Sequence, residues 1–122
     1  MLEFRAAVES RDLGRMEAAL APDVVFRSPA VFKPYEGREA VMHLLGTVIQ
    51  VFEDFEYTDE LMGDGTHALV FQARVGERMV EGLDHLTVAA DGLVSELVVM
   101  IRPLSGLMAL AEAMAERLGA PS

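Results

Sequence analysis

The sequence predicts an α+β fold, with helices laid on one face of an antiparallel sheet. Three observations carry this. Apolar residues recur at three- and four-residue spacing through the first half and again after Pro103, whereas from Phe55 to Arg102 they alternate with polar ones. The alternating runs are separated by Gly63-Asp64-Gly65, Gly76-Glu77 and Asp91-Gly92, turns short enough to join antiparallel neighbours. Helical segments cluster early and the long strands late, with one helix closing the chain.

The elements follow in order. Phe4, Ala7 and Val8 share one helical face, and Leu13, Met16 and Leu20 continue an apolar stripe. Asp12 is a plausible N-cap, so the spacing predicts two short helices broken near Ser10-Arg11-Asp12 and ended by Pro22-Asp23. Val24 to Ser28 reads as a short strand with Val24, Phe26 and Ser28 on one face. Pro29 and Pro34 bracket an irregular or edge segment around Val31-Phe32. Val41, Leu44, Leu45, Val48 and Phe52 predict a helix over 38–51, slightly weakened by Gly46. Strands are expected over 55–62, 66–75, 79–89 and 93–102, the last stopped by Pro103. Leu107, Leu110, Ala111, Met114 and Leu118 make residues 105–118 an amphipathic helix, and Ala120-Pro121-Ser122 reads as a loose tail.

Composition narrows the class of function. The 122 residues fit one domain, 1–122, large enough to bury roughly two-thirds of the unfolded-chain surface. Hydrophobic residues at 52% and charged residues at 25% exclude intrinsic disorder. With 20 acidic and 10 basic side chains the formal charge is -10, which argues against nucleic acid and anionic membranes as partners. The absence of cysteine excludes disulfides, thiol catalysis and cysteine-bound metal. No signal peptide is visible, and the longest strongly apolar run, Leu97 to Ile101, is far short of the about 20 residues of a membrane span, so the cytoplasm is the expected compartment.

The strands separate into two faces. One carries His67, Leu69, Phe71, Ala73 and Val75, then Val80, Gly82, Asp84, Leu86 and Val88, then Leu93, Ser95, Leu97, Val99 and Ile101. Asp84 on this apolar face is either a hydrogen-bonded structural group or a carboxyl pointing into a cavity with a raised pKa. The opposite face includes Val70, Leu83, Val98 and Met100, more apolar surface than a solvated sheet face needs, which predicts a homodimer through it. His85 adjoins Asp84 in sequence but points to the other face, so the two cannot form a dyad. His43 belongs to a polar helix flank, and His67 falls on the inward side near a strand start. The three histidines lack metal-ligand spacing, and no nucleophile elbow, Walker loop or dinucleotide fingerprint is present. No metal or redox cofactor is expected.

Taken together, Phe4–Leu13, Met16–Leu20, Pro22–Pro29, Gly37-Arg38-Glu39-Ala40, Leu83-Asp84-His85-Leu86 and Asp91-Gly92-Leu93-Val94 give the chain a likeness to a known family over about residues 1–105. It resembles the nuclear transport factor 2-like superfamily, the cone-shaped, cystatin-like α+β fold shared by ketosteroid isomerases and SnoaL-like polyketide cyclases. The resemblance implies a curved sheet wrapped around helices, with a conical pocket open at one end. In the isomerases a first-helix tyrosine donates to the oxyanion, an aspartate at the end of the first strand moves the proton, and a protonated aspartate on the penultimate strand also donates. The protonated-aspartate position matches Asp84. The base position is Ser28 and the tyrosine position is Phe4. Serine lacks useful basicity near neutral pH and phenylalanine cannot donate, so that isomerase mechanism is not expected here.

What the resemblance and the faces together predict is a SnoaL-like domain that binds a small apolar organic molecule. Phe4, Phe26, Phe71, Leu86, Leu97, Val99 and Ile101 would line the pocket, with Asp84 and Ser28 as its polar and candidate catalytic points. Two alternatives stay open. One is an acid/base isomerase, cyclase or lyase using Asp84; the other is a non-catalytic dimerisation module.

Overall fold

Asp12 organises the start of the chain. In the computed structural model, which describes residues 2–118, its carboxylate accepts the backbone N–H of Arg15 at 3.1 Å and caps a second helix. That helix, α2, spans Leu13–Ala18 and follows α1, Glu3–Ser10. Between them Arg11 takes the left-handed conformation, φ 55°, as its N–H closes the end of α1. Leu20 does not continue the helix as its spacing predicts. It opens strand β1, Leu20–Arg27, and pairs with Val94. Pro22 and Asp23 fall where the register shifts between Leu20 and Val25, so a residue without an N–H is accommodated inside the strand.

Strand β2 is the two-residue Tyr35–Glu36, set antiparallel to β1. Of the two forms expected around Val31-Phe32 the segment takes the irregular one, with Phe32 98% exposed, and the edge strand comes after Pro34. Helix α3, Arg38–Val51, has the predicted bounds. Four strands follow: β3, Glu53–Met62; β4, Thr66–Val75; β5, Arg78–Val88; β6, Val94–Arg102. Helix α4, Leu104–Leu118, closes the described chain; the tail expected at 120–122 lies outside the described residues. Among the described residues no helix is long and apolar enough to cross a membrane.

The six strands form one curved, unclosed sheet in the order β2-β1-β6-β5-β4-β3, antiparallel throughout except for β1 against β6. Two irregularities re-aim side chains. Thr87 pairs with Glu96 and Val88 with Val94, so Ser95 is an extra residue. The extra residue reverses the alternation at the start of β6, and Val94 rather than Leu93 is buried, at 1% exposure. In β3, Tyr57 pairs with Phe71 and Asp59 with Val70, leaving Thr58 extra.

The sheet's inner face and the helices form one core that includes Leu69, Leu86 and Leu97 with Phe4, Leu20 and Val41. Gly82 has a specific part in it. It lies opposite Phe71, and a Cβ at that position would overlap the Phe71 ring. The glycine lets the ring lie flat against the β5 backbone.

Candidate functional site

Apolar surface on the inner face is not wholly filled by the helices. A cavity of about 570 Å³ remains between the sheet and α1, α3 and α4, within the usual range of small-molecule sites. One wall is aromatic. Phe55 stacks on Phe71 with centroids 4.9 Å apart, Phe52 lies 5.6 Å from Phe71, and Tyr57 meets Phe55 edge-on at 5.0 Å. Leu44, Leu45 and Val48 of α3 and Leu110 and Met114 of α4 face this wall, and Leu97, Val99 and Ile101 supply the β6 side.

Asp84 is the buried carboxyl of this lining. It is 9% exposed, lines the cavity, and accepts a hydrogen bond from the Tyr57 hydroxyl, Oη to Oδ2, at 3.0 Å. Burial pushes the Asp84 carboxyl up to about 7, against the opposing effect of the Tyr57 hydrogen bond. Burial also raises the Tyr57 phenol well above its ordinary value, and the Asp84 charge adds to this. The Arg5 guanidinium, 5.5 Å from the Tyr57 ring centroid, acts in the opposite direction. Tyr57 is therefore a fixed donor near neutral pH. Asp84 is divided between an acid that can donate to a ligand oxygen and a carboxylate that can accept a proton.

Of the residues singled out in the sequence, Phe4, Phe26, Phe71, Leu97, Val99, Ile101, Ser28 and Asp84 all line the cavity. Leu86 does not. It shares a strand face with Asp84 but is fully buried, one pleat further along β5, where core side chains fill the space over the sheet. Ser28 faces the cavity just beyond β1, with its Oγ accepting the Ala30 N–H at 3.0 Å in a local turn.

Tyr57 is the residue that sequence reasoning missed. Its alternation with Phe55 could have placed both rings on the inner face, but strand pairing, not alternation, brings Tyr57 beside Asp84. Glu9, Arg11 and Glu56 also line the cavity. His43 is exposed on α3. His67 sits beside Glu60, Nδ1 to Oε2 at 3.3 Å, and Glu60 also accepts from Arg5 at 2.7 Å. That second bond holds the Glu60 carboxyl below its ordinary range.

A curved sheet closed by helices over an apolar cavity with a buried carboxyl defines a cone-shaped α+β domain. The model of the SnoaL-like domain matches residues 1–97, and the chain belongs to that family, within the nuclear transport factor 2-like superfamily. It is similar to the crystal structure of a steroid delta-isomerase from Pseudomonas aeruginosa, with 45% identity and a TM-score of 0.92, over 96% of this chain and 87% of that one. A protein of cystatin-like fold from Silicibacter pomeroyi is 35% identical with a TM-score of 0.91, over 97% of this chain and 84% of that one. A de novo designed protein with a curved β-sheet shares the fold alone, at 15% identity and a TM-score of 0.72, over 91% of this chain and 93% of that one. No curated protein matches the chain.

Proposed function

We propose that this domain binds a small, largely apolar organic molecule in the cavity and engages one oxygen of it at Asp84. The observation that carries the reading is the buried Tyr57–Asp84 pair in the wall of a largely apolar cavity of about 570 Å³. An apolar body gains by leaving water, and a buried carboxyl with a single hydrogen-bonding side chain beside it fixes the orientation. The similarity to a protein named as a steroid delta-isomerase supports a ring compound with an oxygen substituent.

Calorimetric titration with 2-naphthol and naphthalene tests this, since the two differ by one hydroxyl. Saturable binding is expected for both, tighter for 2-naphthol, and Asp84→Leu should remove about a tenfold preference. Ala111→Trp, which fills the cavity from α4, should abolish both. No saturable binding of either compound to the unaltered protein would overturn the reading.

A second reading is favoured by one observation, the rise of the Asp84 carboxyl to about 7 inside the cavity. A carboxylate so adjusted can take a proton from the carbon beside a ligand carbonyl and return it, which is acid/base catalysis. On the resemblance to the isomerases of the superfamily, Ser28 and Phe4 fall at the positions of their base and phenol, so such chemistry would use Asp84 with Tyr57 instead. Deuterium exchange beside the carbonyl of 2-tetralone, followed by NMR, should then depend on Asp84. Equal exchange with Asp84→Asn would exclude catalysis and leave binding.

A further inference from the structure

We infer that Arg11 is an anion-binding group of the cavity, so that the ligand is an amphipathic acid: an apolar body inside, with a carboxylate, sulfonate or phosphate end held at Arg11. This rests on the reading of the cavity as a ligand site. Arg11 is the one basic side chain among the described residues that line the cavity. Arg5, Arg15, Arg27, Arg74 and Arg102 each hold a carboxylate, but Arg11 holds none among the described residues. It is nonetheless positioned. Its Nη2 donates to the Ile49 carbonyl in the last turn of α3 at 2.8 Å, and its backbone sits in the left-handed region at φ 55°. A guanidinium has five N–H donors in a planar fork, so the Ile49 contact orients the group and leaves donors for a planar or tetrahedral anion.

The surrounding charge sharpens the argument. The chain carries -10, so an anion approaching it meets general repulsion and is retained only by a local cation. Glu9 and Glu56 also line the cavity. Glu9 is engaged by Arg5, Nε to Oε2 at 3.4 Å, and both carboxylates turn an anionic end away from their own positions and toward Arg11. Asp84, also an acid, disfavours the reverse orientation once ionised. The ligand's neutral oxygen and its anion are thus assigned to different polar points of one cavity.

The test uses two fluorescent probes with the same apolar body: 8-anilinonaphthalene-1-sulfonate, and N-phenyl-1-naphthylamine, which lacks the sulfonate. Asparagine tolerates the left-handed backbone, so Arg11→Asn removes the charge without straining the turn. It should weaken the sulfonate probe about fivefold, as expected for a partly exposed charge pair, and leave the neutral probe unchanged. Arg11→Lys should keep most of the sulfonate affinity. Arg15→Gln, which removes a charge away from the cavity, should change neither. Equal loss of both probes in Arg11→Asn, no change in either, or an equal effect of Arg15→Gln would overturn the inference while the cavity reading stands. If the unaltered protein takes up neither probe, the cavity reading falls and this inference falls with it.

Discussion

Asp84 costs the fold stability when ionised. Moving its pKa from 3.8 to about 7 corresponds to about 4 kcal/mol at most. The sign follows from proton counts. Between about pH 4 and pH 7 the unfolded chain has released the proton and the folded chain has kept it, so stability falls as pH rises through that window and is level above it. Asp84→Asn removes the ionisation but keeps an oxygen that can accept from Tyr57. Its stability, measured by urea unfolding, should lack this fall over the same window and be higher than that of the unaltered protein at pH 8. A fall in stability at pH 8 would mean that the carboxylate is a structural anchor rather than a group held for a ligand. Tyr57→Phe supplies an independent check. The phenol's hydrogen bond favours the carboxylate, so its loss should move the Asp84 midpoint above about 7 when the carboxyl carbon is followed by NMR.

Strands β4 and β5 hold the wall of the cavity through the contact of Phe71 on Gly82. Gly82→Ala forces the ring off the backbone, with a stability loss of about 1–3 kcal/mol typical of overpacking. Phe71 lines the cavity, so affinity for N-phenyl-1-naphthylamine should fall as the ring is displaced; unchanged affinity would mean the ring moves away from the cavity. The bounds of α3 and β4 and the inward aim of Asp84 were legible because each depends only on local period. Val94 was not, because one extra residue at Ser95 reverses the alternation and nothing in the local pattern marks it. Leu20 has an apolar spacing that fits a helix as well as a strand, and only its pairing with Val94 decides between them. Tyr57 stayed hidden for a related reason: a phenol and a carboxyl 27 residues apart meet only through the pairing of β3, β4 and β5. Leu86 shows the opposite limit, since a strand face identifies what points inward but not where the inside is hollow.

For the molecule as a whole, the outer sheet face remains the expected site of self-association. Val70, Leu83 and Met100 lie in one cross-strand rank, and Ala68, His85 and Val98 in the next. Arg27 pairs with Glu96 and Arg102 with Glu81 beside these ranks, while the exposed Asp59 stands opposite Val70 at the β3 end of the first, so the apolar strip offered to a second copy runs from β4 to β6. Light scattering at micromolar concentration should give twice the 13.3 kDa chain mass, and Val98→Glu should halve it by placing a charge in a desolvated contact. A monomer before substitution would remove the self-association reading and leave the cavity untouched. The aromatic lining has an optical consequence for all such work. The chain has no tryptophan, and both of its tyrosines, Tyr35 and Tyr57, are cavity-lining residues. Its native ultraviolet emission therefore originates in the cavity wall, and a change in tyrosine fluorescence reports occupancy without a label.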